Sequence, residues 1–185
     1  VKALKALKFA KFFITFFSMG LSVIVYSFSL GFWFSLGFVI MLLIHEMGHV
    51  LAMRIKNIPT KLPVFIPMLG AVIFAPPFKS KEEESYVGYA GPLIGGLAAI
   101  LLFGFWFVMP NTSKTLLFIS NIAIMLNLFN LLPARPLDGG RILQIAGSWF
   151  GYFGLLLLFA LIFITRDTSF LFITFIALSD LKKDR

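Results

Sequence analysis

From Phe12 to Ile44 the chain carries no charged residue, a run of 33 positions. One helix of that length would extend about 50 Å at 1.5 Å per residue, against a hydrocarbon core of about 30 Å. The run is therefore read as two membrane-spanning helices. The turn falls at Ser27-Phe28-Ser29-Leu30-Gly31, where Ser and Gly punctuate an otherwise apolar stretch. The first span covers about 12–29 and the second about 31–53, closed by Arg54 and Lys56. Composition agrees: 13% of residues are charged and the mean hydropathy is +0.97, whereas a soluble domain carries roughly 25% charge. These values exclude a disordered chain, a nucleic-acid-binding arm and an ordinary soluble enzyme. The 185 residues suit a single membrane-embedded domain over 1–185, with no separate soluble module. There is no cysteine, hence neither a disulfide nor a thiolate for a metal.

The remainder predicts an all-α polytopic membrane protein of about six transmembrane helices. Residues 57–85 contain Pro59, Pro63, Pro67, Pro76 and Pro77, which forbid a continuous helix. Within them, Leu69 to Phe74 has strand character, a short strand-like segment after the second span. The polar stretch Lys79–Ser85, with Glu82, Glu83 and Glu84 in a row, reads as a solvated loop. A third span is expected over about 86–109, and a fourth over about 115–132, ended by Pro133 and Pro136. A fifth should end near Thr165, and a sixth should cover about 168–179. Gly91-x-x-x-Gly95 and Gly147-x-x-x-Gly151 read as close helix-packing contacts. With six spans, fourteen of the sixteen Lys and Arg residues fall on one side, leaving only Lys114 and Arg166 opposite. The positive-inside rule then makes both termini cytoplasmic, and the series Lys2, Lys5, Lys8, Lys11 is placed to lie along an anionic leaflet. The net charge of +8 is thus a topology signal, not a nucleic-acid signal. A signal peptide fits poorly: the apolar run is too long, and no small-residue cleavage pattern follows it.

The only two histidines form His45-Glu46-Met47-Gly48-His49. At i and i+4 on a helix both imidazoles reach one metal ion, and the intervening Glu can serve as general base to metal-bound water. Ionisable residues inside a span are costly and by default functional. Catalytic zinc takes three protein ligands and an open position, and the third must here be Asp or Glu. Among Glu82, Glu83, Glu84, Asp138, Asp167, Asp180 and Asp184, the glutamates belong to the polar stretch, Asp167 to the opposite side, and Asp180 and Asp184 to the charged tail. Asp138 follows a Pro-broken apolar helix, where irregular backbone near the membrane is tolerated only if it is buried or lines a wet cavity. Spacing leaves a second reading open, in which Asp138 caps the next helix. Depth is a further constraint. His45 lies nine residues before Arg54, about 13 Å inside the membrane edge. Asp138, between Arg135 and Arg141, looks shallower, so the two meet only if the broken segment dips inward.

His45-Glu46-x-Gly48-His49, followed by Asn130-x-x-Pro133 and Leu137-Asp138-Gly139, resembles the site-2 protease family of intramembrane zinc metalloproteases, over about residues 31–141. The resemblance implies one zinc ion held by His45, His49 and Asp138, Glu46 as catalytic base, and Asn130 as a contact to substrate or its oxyanion. It further implies that the strand at Gly70–Phe74 offers backbone groups to an unwound substrate. Many members of that family carry Asn or a similar polar residue where Gly95 stands; this chain departs from the pattern there, and its glycine reads as a close helix-packing contact. The implied activity is cleavage within or near a substrate's transmembrane helix in the lipid bilayer, releasing membrane-tethered regulators, with the cell membrane as location. Recognition and regulation are expected to come through the membrane domain, a homo-oligomer or a regulatory membrane partner. Two other classes compete: a divalent-metal transporter or channel, and an inactive protease-like membrane scaffold. Against the first, four of the six spans are nearly devoid of polar residues; against the second, Glu46 is intact.

Overall fold

The computed structural model describes residues 2–109, 111–147, 149–166 and 169–183. In chain order it contains α1 (Lys2–Leu30), α2 (Phe32–Ile55), β1 (Val64–Ile66), β2 (Gly70–Val72), α3 (Lys81–Val108), α4 (Lys114–Asn130), α5 (Asp138–Leu143), a 3-10 turn (Gln144–Ala146), α6 (Trp149–Thr165) and α7 (Ser169–Lys183). Asp167, Asp184 and the side chains of Lys2, Lys5, Lys8 and Lys11 lie outside the described residues.

The charge-free run does fold back at Gly31, whose φ of 80° separates α1 from α2. Glycine pays no Cβ penalty in that region. Three helices are long and apolar enough to cross a bilayer: Phe12–Leu30, Phe32–Ile55 and Lys81–Val108. The apolar helices Lys114–Asn130, Trp149–Thr165 and Phe170–Leu181 are shorter, about 18–26 Å at 1.5 Å per residue, below the hydrocarbon thickness. Large apolar side chains such as Phe28, Trp33, Leu101, Phe107, Phe163 and Phe175 stand exposed around the outside. A surface of that kind marks contact with lipid or another apolar partner.

Two expectations are corrected. The glutamate run is not a loop but the first turn of α3. Ser80 accepts a hydrogen bond from the Glu83 backbone N–H (3.2 Å), and the Glu83 carboxylate accepts one from the Lys79 N–H (2.8 Å). Three carboxylates there also face the positive end of the helix dipole. After Asp138 the chain forms α5 and the 3-10 turn, which end at Gly147, with φ of 116°, before α6. Gly147 is therefore a turn residue and not part of a helix-packing pair. The expected strand-like segment is present as β2, which pairs antiparallel with β1 in the register Val64↔Val72, Phe65↔Ala71 and Ile66↔Gly70.

The hairpin is held against α1 by two side chains. Ser18 Oγ accepts from the Phe65 N–H and Tyr26 Oη from the Met68 N–H, both at 3.0 Å. At the centre, α2 and α3 approach so closely that Gly48 and Gly91 have no room for a side chain of their own. A Cβ on Gly48 would lie 2.4 Å from the Ala90 carbonyl oxygen, and one on Gly91 2.2 Å from His49 Nε2. Gly91 and Gly95 thus serve the close packing expected of them. Helix α4 completes this core with Ile119 and Ala123 against Met41 and Ala99. Helices α6 and α7 pack on each other through Leu155, Leu158 and Ala177, with Ala134 of the connecting loop.

Candidate metal centre

The i, i+4 spacing on α2 sets His45 and His49 on one buried face, 2% and 5% exposed. Asp138, 6% exposed, reaches them from the first turn of α5. Its Oδ2 lies 3.1 Å from His45 Nε2 and 3.3 Å from His49 Nε2, and the two Nε2 atoms are 3.2 Å apart. The cap position of α5 belongs to Leu137, with no side-chain cap bond. Asp138 therefore faces the histidines, not its own helix end. The Pro-broken loop thus brings Asp138 to the histidines, and the two glycines after it allow the close packing this takes. A Cβ on Gly139 would sit 2.1 Å from the Leu131 carbonyl oxygen, and one on Gly140 2.4 Å from the Arg135 nitrogen.

The proton positions on the imidazoles follow from their outer partners. His49 Nδ1–H donates to the Val87 carbonyl of α3 (2.8 Å). His45 Nδ1–H donates to Asn127 Oδ1 of α4 (2.9 Å), while Asn127 Nδ2 donates to the Ala123 carbonyl (2.7 Å). In the neutral rings both Nε2 atoms are then lone-pair acceptors. Two acceptor nitrogens and a carboxylate oxygen converge on one another in a buried pocket, an arrangement that requires a positive charge between them. A bound cation supplies that charge. Donors about 2.0–2.1 Å from zinc at tetrahedral angles lie about 3.3–3.4 Å apart, close to the three separations present. His45, His49 and Asp138 also form a group whose donor atoms all lie within 4.8 Å of one another. The donor set, its spacing and the fixed tautomers fit one Zn2+.

Glu46 and Asn130 border a cleft of about 750 Å³ that the three ligand residues also line. Its far wall is Gly70–Ile73, so β2, paired with β1 on one side, borders the cleft. Asn130 Nδ2 donates to the Leu126 carbonyl (3.1 Å), which leaves its second N–H for another acceptor. Arg141, one turn beyond Asp138, lines the cleft as well.

Two features escaped the sequence reading. Asn127 carries a direct contact to His45; the available signal was a second amide one turn before Asn130 in an apolar helix. The other is a polar clasp around Arg135. Its guanidinium bonds Glu84 (3.1 Å) and Gln144 and pairs with Asp180 (3.4 Å), while Gln144 Nε2 donates to Glu84 (3.0 Å). Glu84 and Asp180, assigned above to a polar loop and a charged tail, instead fasten α3 and α7 to the loop that delivers Asp138.

Comparison with known proteins bears on this geometry. The model of peptidase family M50 matches residues 33–112, which include both histidines and end before Asp138. A zinc metalloprotease of Methanocaldococcus jannaschii is 33% identical over 138 residues, 72% of this chain. The chain spans only 40% of that relative's length. The solved structure of the site-2 protease from Methanocaldococcus jannaschii superposes with a TM-score of 0.60 at 20% identity, covering 92% of this chain and 87% of that one; this likeness speaks for the fold alone. The matched family model and the zinc metalloprotease relative support membership of this chain in peptidase family M50, and its fold is that of the site-2 protease structure.

Proposed function

We propose that the chain is an intramembrane zinc endopeptidase. It would hydrolyse peptide bonds within or next to transmembrane segments of membrane-protein substrates and so release membrane-tethered regulators. The observation that supports this most is the convergence of three acceptor atoms beside Glu46, in a cleft bordered by a strand. Bound by His45, His49 and Asp138, zinc would bring the pKa of its water near neutrality and polarise the scissile carbonyl. Glu46 accepts the proton of the attacking water and passes it to the leaving amine. A helical substrate keeps its carbonyls in internal hydrogen bonds, so it must unwind first. The open side of β2 then accepts the extended segment by strand addition, and the free N–H of Asn130 is available to the carbonyl oxygen as charge develops on it.

In this reading the three long and three shorter apolar helices make six crossings, with both termini cytoplasmic, in the cell membrane. Short spans are accommodated by local thinning of the bilayer. The test is cleavage of a single-span substrate in proteoliposomes, with zinc content measured in parallel. Glu46→Gln should keep its zinc and lose cleavage. Cleavage that survives in that variant refutes the mechanism, and zinc flux without cleavage in the unaltered protein would favour a transporter.

A further inference from the structure

We infer that Asn127 is a positioning residue for the metal centre, and that the missing side chain at Gly95 is what lets it act. The inference rests on His45, His49 and Asp138 being zinc ligands.

Asn127 is 5% exposed in the middle of an apolar helix, and a buried amide is costly unless its polar atoms are paired. Both are. Nδ2 donates to the Ala123 carbonyl one turn back in α4 (2.7 Å), which fixes the orientation of the amide. Oδ1 is thereby turned toward α2, where it accepts from His45 Nδ1–H (2.9 Å). This bond sets the His45 tautomer and ring angle and leaves the Nε2 lone pair for the metal. An outer partner of a metal-binding imidazole orients it and raises its basicity. The two histidines are supported differently: His49 leans on a backbone carbonyl of α3, a contact that no side-chain substitution removes, whereas His45 leans on one side chain.

Gly95 on α3 lies against the same bond. A Cβ there would be 2.5 Å from Asn127 Oδ1 and 3.0 Å from His45 Cβ. The Asn127 amide, held at both of its polar atoms, would have to move, and His45 Cβ would have to give by a few tenths of an ångström. A polar side chain at this position would occupy the volume of the Asn127 amide. The supporting group for His45 therefore comes from α4, in space that the lack of a side chain at Gly95 leaves free.

The test uses zinc affinity by chelator competition and the ring-nitrogen NMR signals of histidine-labelled protein in detergent. With two histidines in the chain, each signal can be assigned. Asn127→Ala should weaken zinc binding about 10–100-fold and move the His45 signals while those of His49 stay. Asn127→Asp keeps an acceptor toward His45 but gives up the donor to the Ala123 carbonyl, so it should lose clearly less affinity than Asn127→Ala. Equal affinity in both variants and the unaltered protein overturns the inference, as does an equal loss in both, which would mean that the site needs the amide's packing and not its acceptor. If Asn127→Ala does not fold, Gly95→Ala decides. Its methyl group should displace the amide and produce the same loss with the same selective shift, and unmoved His45 signals overturn the inference. Failure of the underlying metal assignment is read separately, as unchanged zinc affinity in His45→Ala.

Discussion

The close approach of α3 to the metal centre makes Gly91→Ala a demanding perturbation. The added methyl carbon would lie 2.2 Å from His49 Nε2 and 2.3 Å from its Cε1. Non-bonded carbon and nitrogen atoms settle at about 3.5 Å, so ring or helix must yield by about 1.3 Å. The backbone has little room, because Gly48 holds α2 against the Ala90 carbonyl. The ring is tied at its other nitrogen to Val87, in the same turn of α3. The ring therefore moves, and a donor atom is taken by about 1 Å from a triangle whose sides are 3.1–3.3 Å. Losing an outer partner of a ligand costs about 10–100-fold in metal affinity; displacing the ligand itself should cost more than 100-fold, with about 1–3 kcal/mol of overpacking strain in addition. Chelator competition measures the first and thermal unfolding in detergent the second. Gly104→Ala on the same helix is the control, since its Cβ would meet nothing within 4 Å; zinc affinity there should be unchanged. Near-normal zinc binding by Gly91→Ala would refute the packing argument.

Three further outcomes follow from the same geometry. Ser18→Ala and Tyr26→Phe each remove an acceptor that pins the hairpin to α1; each should raise KM for a single-span substrate several-fold, about 1 kcal/mol per bond, with zinc content unchanged, and a fall in kcat at constant KM would contradict the role given to β2. Arg135→Ala opens the clasp between Glu84, Gln144 and Asp180; the groups are partly exposed, so a loss of about 1 kcal/mol is expected, seen as a fall of roughly 2–4 °C in the unfolding midpoint. Removal of metal by a chelator should lower the midpoint of the unaltered protein and re-addition of zinc should restore it, whereas His45→Ala should respond to neither.

The residues that could be read from the sequence are those whose role is local. His45 and His49 share a helix face by spacing alone, and Glu46 comes with them. Asp138 could be reached by elimination, because the chain has so few carboxylates, but its arrival at the histidines depends on how tightly Gly139 and Gly140 pack against the preceding loop. The meeting of Asp138 with His45, 93 residues away, is long-range and leaves no periodic signal. Asn127 and Asn130 stand three residues apart on one helix, and only the placement of α4 against α2 reveals that the first meets His45 while the second faces the cleft. Strand β1 lies among prolines and owes its conformation to β2. The start of α3 was legible in principle, since Ser80 and Glu83 have the spacing of a capping box; reading the glutamates as a charge run concealed it. Gly147 shows the opposite limit: a glycine at positive φ and a glycine in a helix-packing stripe look alike until the backbone is seen.

Zinc stoichiometry tests the account most directly. The unaltered protein should hold one zinc per chain, and His45→Ala, His49→Ala and Asp138→Ala should each lose it while remaining folded. Asp138 is the decisive member, because the matched family model ends before it and its place in the site rests on the 3.1 and 3.3 Å approaches to the two imidazoles. Full zinc content in Asp138→Ala would contradict the three-residue metal centre and the hydrolytic chemistry built on it.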